Sequence, residues 1–332
     1  MKLSGHGKRR QLTISQLLML TALLGIGLSV LGIWRRSATP IDLVATSDVV
    51  TLRTGKDAVE LPPFLISKLT VIASGRIEGL SYPTQFESFA NMETANLQRD
   101  TNALPAMLSL SGVKLSADAN LSVRRYPGSH STFELAIADP SNKPAKLTLF
   151  AQGALKINTE TAHRQDTFNQ TTTLRIDLRE PHLTLRFTLA EREWSIQQPL
   201  SLSHLDFRDT DADGRLSSIF SSLRSGSIRF IGIDNLDGNE RTLELQPREM
   251  LVVGDIRDGF VGNLALSDNQ IKLNMSGYVS SLRTTWRSLS RDHMPTLFAT
   301  LASVDYFKAI CGLAIGLFWA LAQILPLRGA KE

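Results

Sequence analysis

Alternation of apolar and polar residues with a period of two dominates the chain from about residue 41 to residue 283. In TLRIDLR (173–179) leucine and isoleucine alternate with charged residues, and LTLRFTL (183–189) repeats the pattern. Successive side chains of a strand point to opposite faces, so this period predicts strands with one buried and one solvated face. Because Pro181 lies in the short link between the two segments, we predict that they form an antiparallel hairpin.

The same alternation recurs in NLSVRRY, FELAIA, KLTLFA, ALKIN, SIRFIGI, TLELQ, NLALS and IKLNMSGYV. Turn-forming stretches such as YPGSHS, DPSNKP and DNLDGNE separate these segments. Many short strands at short spacing predict an antiparallel β-sandwich or jelly-roll-like region. A break near residue 200 would divide it into a β domain at 41–200 and a second β lobe at 201–283.

Helical patterns are sparse in this central region. The segments 83–100 and 216–225 are two candidates for short helices. Residues 284–307 mix tryptophan, leucine and phenylalanine with arginine and are interrupted at Pro295. They predict a helical stretch at the membrane interface. The alternative is an ordinary amphipathic helix that packs on the β domain.

Two apolar runs flank the β region, at residues 14–34 and 308–327, and apart from Lys308 neither contains a charged residue. Each has about the 20 residues that a transmembrane helix needs. The first run is longer than the core of a signal peptide, and no small-x-small cleavage site follows it, so we expect it to be retained. The predicted fold class is therefore a membrane-anchored, mostly-β protein with transmembrane helices on both sides of an extracytoplasmic β region.

The distribution of basic residues predicts the orientation. The tail at residues 1–13 carries Lys2, Lys8, Arg9 and Arg10 and no acidic residue. The positive-inside rule places this tail in the cytoplasm, and two spans return the tail at 328–332 to the same side. We therefore expect a bacterial inner-membrane protein whose central region faces the periplasm and whose first partner is the lipid bilayer.

Small residues recur at helical spacing within both apolar runs. Such faces let two helix backbones approach closely and predict packing between the spans, with a second copy, or with another membrane protein. The alternative is that glycine is simply common in membrane helices. The predicted packing residues are Gly25, Ser29, Gly32, Gly312, Gly316 and Ala320.

The stretch DTDADG resembles the first half of a calcium-binding loop. Carboxylates at alternate positions, a glycine at the sixth and a carbonyl at the seventh are typical of such loops. The candidate ligands for Ca²⁺ are Asp209, Asp211, Asp213, Ser217 and the backbone carbonyl of Arg215. Phe220 occupies the position where a bidentate acid is needed, so the alternative is an acidic turn that enters a short helix.

Catalytic motifs are weak. Ser111 and Lys114 match S-x-x-K, and residues 267–269 match S-D-N, but no K-T-G follows, and Ser111 lies in a strand-like segment. The histidines form no close metal-binding pair. The net charge of +4 owes much to the two tails, which would meet lipid headgroups, so we expect no nucleic-acid partner.

These features favour a non-enzymatic envelope protein whose external β region binds or scaffolds a partner in a membrane complex, either an envelope protein or a second copy. One alternative is the handling of lipid or glycolipid by an open apolar sheet face. A third is a calcium-dependent hydrolase that uses the Asp209 loop, although the residues that would complete its catalytic site are missing from the sequence.

Overall fold

The computed structural model describes residues 38–80, 88–90, 92–100, 107–126, 128–129, 131–141, 144, 146–160, 162–210, 216–234, 240–267, 269–286, 289–296 and 312. Within these residues the fold is almost entirely antiparallel β-sheet, which confirms the mostly-β prediction. The chain divides into two units, and one of them, residues 38–231 with 241–293, holds nearly all of the described strands. We call this unit the β body.

The first half of the described chain contains fifteen strands: β1 Thr39–Ser47, β2 Val49–Thr54, β3 Val59–Glu60, β4 Phe64–Ile72, β5 Ser74–Gly79, β6 Phe89–Ala90, β7 Thr94–Arg99, β8 Met107–Ser111, β9 Lys114–Leu115, β10 Asn120–Arg125, β11 Thr132–Ala138, β12 Lys146–Thr159, β13 His163–Leu178, β14 His182–Leu189 and β15 Glu193–Ile196. Ten more follow: β16 Leu200–Asp206, β17 Arg208–Thr210, β18 Leu216–Ser221, β19 Leu223–Asp234, β20 Glu240–Leu245, β21 Met250–Val253, β22 Ile256–Ser267, β23 Gln270–Val279, β24 Leu282–Trp286 and β25 Leu289–Asp292.

A first group of strands is linked by antiparallel ladders into a circuit that the chain itself closes between β13 and β14, each of which pairs with other strands. β12 pairs with β13 on one side and with β7 and β8 on the other. β4 pairs with β7 and β8 and, on its opposite side, with β14. Because β14 continues from β13 along the chain, the path returns to its start. The first circuit therefore consists of β4, β7, β8, β12, β13 and β14.

A second group of strands is arranged in the same way and forms the second circuit. β2 pairs with β16, β16 with β22, β22 with β23 and β23 with β1, which continues into β2. The ladders from β14 through β11 and β10 to β2 join the two circuits. The suggested boundary after residue 200 falls within β16, which begins at Leu200, and β2 pairs both with this strand and with β10.

Two sharp bends carry the chain from one ladder into another. β1 passes into β2 at Asp48, and β4 passes into β5 at Ala73. Ala73 has φ of 58°, in the left-handed region that is costly for a residue with a side chain. The amide of Arg179, between β13 and β14, donates to the carbonyl of Ala73 at 3.0 Å. The β4–β5 and β13–β14 connections therefore bend side by side, as strands do at the corners of orthogonally packed sheets.

The apolar face of the strands is buried along its length. In β14 every second residue is buried, and the same alternation holds in β1 and, on each side of one irregularity per strand, in β4 and β12. Aromatic rings fill part of the first circuit: Phe64 meets Phe187 edge-on at 5.1 Å between ring centroids and stacks on Trp194 at 4.1 Å. The indole of Trp194 donates to the carbonyl of Pro63 at 3.1 Å, which satisfies its one polar atom.

The predicted hairpin at 173–189 is wrong, although both of its strands are confirmed. β13 pairs with β12 and β5, whereas β14 pairs with β11 and β4. The short link around Pro181 is the bend opposite Ala73 and not a hairpin turn. The period of two fixes which side chains are buried, but it leaves the partner of each strand open.

The helix predictions also need correction. Residues 216–225 form β18 and the start of β19, and 94–99 form β7. The interfacial helix predicted at 284–307 is wrong over residues 284–286 and 289–292, which belong to the paired strands β24 and β25. In each case the ladder formed with distant strands outweighs the weak local helical pattern. Most of the remainder of 284–307 and the two apolar runs lie outside the described residues, apart from Gly312 in the second run.

Candidate functional site

A groove with a volume of about 490 Å³ opens at one end of the first circuit. Its floor is formed by Ile137, Phe150 and Leu183, which come from β11, β12 and β14. Ile137 and Leu183 are direct cross-strand partners, and both are almost fully buried. The groove size falls in the range of about 300–1,000 Å³ that is usual for small ligand sites.

Charged side chains surround this apolar floor. Glu60, Lys114 and Lys146 are exposed on the rim, and Asp139 is half-buried there. The ammonium of Lys114 lies 3.7 Å from a carboxylate oxygen of Glu60. Asp139 accepts two hydrogen bonds of 2.7 Å, one from the Ser116 hydroxyl and one from a backbone amide. The rim therefore presents two positive and two negative groups.

Lys146 carries a positive charge next to a second ion cluster. It is the cross-strand partner of Asp177. A hydrogen bond from Arg175 holds the pKa of Asp177 below its ordinary value of 3.8, and the charge of Lys146 contributes to the same lowering. Asp177 is ionised at neutral pH, as an ordinary aspartate would be, and the lowered pKa keeps its negative charge beside Lys146 to a lower pH.

Backbone geometry shapes the groove at the end of β8. Gly112 has φ of 76°, a conformation that favours glycine, and it separates β8 from β9. This bend brings Ser111 and Lys114 to the same groove. The hydroxyl of Ser111 donates to the carbonyl of Thr148 at 3.4 Å, and Lys114 faces Glu60. Neither contact makes the lysine a base for the serine, so the S-x-x-K match has no catalytic geometry here.

A second polar cluster lies at the bend between β1 and β2. Asp48 accepts hydrogen bonds from Arg125 at 2.7 Å and from two nitrogens of Arg224 at 2.7 and 3.0 Å. Burial raises the pKa of Asp48, but the hydrogen bonds and charges of the two arginines outweigh it and hold the pKa below 3.8. Beside it, the hydroxyls of Ser47 and Ser222 are 2.7 Å apart. Since each group has a protein partner, we assign this cluster to the stability of the bend.

Two of the candidate calcium ligands lie on a hairpin of two strands. Asp209 belongs to β17 and Ser217 to β18, while Asp211, Asp213 and Arg215 lie outside the described residues. Thr210 pairs with Leu216, so the chain leaves the acidic stretch as a strand. The alternative prediction was an acidic turn followed by a helix from Leu216. The helix is wrong, because Leu216 begins a strand. Calcium binding itself stays a prediction.

The predicted helix-packing residues are outside the described part of the chain except for Gly312. This residue is helical and exposed, and a side chain added to it would meet open space. Within the described residues no helix has the length and apolar character to cross a bilayer. The same residues contain no cluster of three or more histidine, cysteine, aspartate or glutamate side chains that could hold a metal ion.

Comparison with known proteins gives no family for this chain. No family model matches it, and neither the curated proteins nor the solved structures include a significant match. The function must therefore be inferred from the site itself.

Sequence reasoning did not find the groove. Its rim residues lie between positions 60 and 146 and come together only through the ladders of β3 with β9 and of β12 with β8. A charged residue on the solvated face of a strand looks the same in sequence whether or not it borders a groove. The S-x-x-K match and the turn DPSNKP, which contains Asp139, both fell on this site, but neither pattern predicts a groove.

Proposed function

We propose that this chain is a non-enzymatic envelope protein, anchored in the bacterial inner membrane, whose periplasmic β body binds a polypeptide partner. The observation that carries the proposal is the groove at the end of the first circuit, with its apolar floor and charged rim. An apolar side chain of a partner can fill the floor, and its flanking charges can pair with Lys114, Lys146, Glu60 and Asp139.

The inward face of the strands favours this function over lipid handling. An acyl-chain groove needs a contiguous apolar face that stays open. On the inward face of the described strands the apolar positions are covered by other strands; Leu69, Leu149 and Leu185, for example, have no exposed surface. A partner would therefore meet the groove and the outer surface, and not the core face.

The test uses the full-length chain in membranes of its host. A photo-crosslinking amino acid at Lys146 should give an adduct with the partner, whose mass also distinguishes another protein from a second copy. Lys272 is the control, because it is an exposed lysine on β23, outside the groove lining. Charge reversal of Lys114 should weaken the adduct. Equal adducts at 146 and 272 would contradict binding at the groove.

The anchoring part of the proposal has its own experiment. Reporter fusions after residue 150 and at the C-terminus should report the periplasm and the cytoplasm, respectively, because the basic tails favour the cytoplasmic side. An active cytoplasmic reporter after residue 150 would reverse the orientation.

A further inference from the structure

We infer that the β body rests on the lipid bilayer through an apolar patch on the outer face of β22, β23, β1 and β19. This inference rests on the membrane anchoring in the proposed function. The patch consists of Ile231, Phe260, Tyr278 and Pro40, and we call it the anchor-end patch.

The cross-strand registers place these residues together. Tyr278 is the direct partner of Pro40 on one side and of Arg257 on the other. Phe260 is opposite Ser276. Because Ser276 lies two residues before Tyr278, Phe260 and Tyr278 are on the same face of the sheet. Ile231 follows Phe230, the partner of Ile41, and so lies across from Pro40.

These side chains are unusually exposed for their size. Phe260 and Tyr278 are each 44% exposed and Ile231 is 40% exposed, although the opposite face of the same strands is buried core. Exposed apolar residues that are contiguous mark an interaction surface. The composition suits the headgroup region, where tyrosine places its ring in the apolar layer and its hydroxyl in water.

The path of the chain identifies the bilayer as the occupant. Thr39, the first residue of β1, pairs with Val279 at the end of β23. The chain returns to this end after the β24–β25 hairpin, where the amide of His293 donates to the carbonyl of Leu282 at 2.9 Å. Both connections toward the predicted spans therefore leave the β body from one end, the end that carries Pro40 and Tyr278.

The first connection is short. Residues 35–38 alone separate the first apolar run from β1. A fully extended chain advances at most about 3.6 Å per residue, so Thr39 lies within about 18 Å of Trp34. This short connection keeps the start of β1, and the exposed rings beside Pro40, within reach of the headgroup layer.

The charges around the patch are nearly balanced. Arg257 borders Tyr278 and can extend its guanidinium toward phosphates while its methylenes stay on the apolar surface. Asp42 and Arg229 form an ion pair on the same face. The contact is therefore driven by the aromatic and aliphatic side chains rather than by net charge.

The experiment uses the full-length chain in liposomes. In a Cys311→Ser background, single cysteines replace Phe260 or Tyr278 and carry an environment-sensitive fluorophore. Leu80, 51% exposed at the end of β5 in the described chain, receives the same label as the control. Circular dichroism equal to that of the parent chain shows that each labelled variant is folded. Lipids with a nitroxide near the headgroup should cause a loss of fluorescence at 260 and 278 but not at 80.

The other outcomes separate the inference from the proposed function. If the chain resists extraction by carbonate and the labels at 260 and 278 are no more quenched than the label at 80, the patch does not touch lipid and the inference is overturned while the anchoring stands. Labels that are shielded from aqueous iodide but insensitive to the nitroxide lipids show that protein covers the patch, which also overturns it. Extraction of the chain by carbonate contradicts the anchoring itself and the inference with it.

Discussion

Replacing Asp48 with asparagine should destabilise the β body, because this carboxylate holds the bend between β1 and β2. It accepts hydrogen bonds from Arg125 and Arg224, which belong to β10 and β19. The bend is thereby tied to two neighbouring strands. Asparagine keeps the size of the side chain and one oxygen acceptor but removes the charge.

The magnitude follows from the number of charged contacts. A hydrogen bond that involves a charged group contributes about 1.5–3 kcal/mol, and it is stronger when both partners are charged than when only the arginine is, so each arginine contact loses about 1 kcal/mol. Two arginines give about 2 kcal/mol before screening by solvent. The Asp48 side chain is 34% exposed, which reduces the expected loss to about 1–2 kcal/mol.

Urea unfolding of the full-length chain in mild detergent, followed by the circular dichroism of the β-sheet, measures this loss. Asp118→Asn is the matched control: its carboxylate is 60% exposed and lies 3.7 Å from Arg53. An exposed pair of this kind should contribute less than about 0.5 kcal/mol. Equal free energies of unfolding for Asp48→Asn and Asp118→Asn would refute the role of the bend cluster.

The difference between Asp48→Asn and the native chain should also depend on pH. The pKa of Asp48 is lowered in the folded state, so its contribution to stability is fully present above the unfolded value of 3.8. It is lost as the pH falls through the lower, folded-state pKa, because the carboxyl group becomes protonated and resembles the amide. A difference that persists unchanged at the lowest pH would show that the loss is not electrostatic.

Two further predictions concern the other bend and the acidic loop. Ala73→Gly should stabilise the chain by up to about 1 kcal/mol, because it removes a left-handed alanine that costs about 1–2 kcal/mol and adds a glycine whose conformational entropy costs about 0.5–1 kcal/mol. Ala45→Gly, in the buried part of β1, should instead destabilise the chain. The same urea assay compares the two variants. If the Asp209 loop binds calcium, a concentration tenfold above Kd should stabilise the fold by about 1.4 kcal/mol, seen as a higher thermal midpoint that is absent in Asp211→Ala; a midpoint indifferent to calcium in the native chain would leave an acidic turn.

The sequence by itself determined which residues are buried and which are solvated. In β14 the alternation of LTLRFTL predicts the buried set, because the side-chain period of a strand is two whatever its partner is. The same period identified most of the long strands and hence the mostly-β class. Their boundaries follow the turn residues, whose backbone preferences are local.

Only the tertiary structure decided which strands are neighbours. The link at Pro181 would serve equally well as a hairpin turn or as a corner, and the hydrogen bond from Arg179 to Ala73 selects the corner. Residues 216–225, 284–286 and 289–292 have weak local preferences, so the ladders available to β18, β19, β24 and β25 set their conformation. The groove has the same origin: Lys114 and Lys146 lie far apart in the chain, and non-local pairing alone brings their charges to one rim.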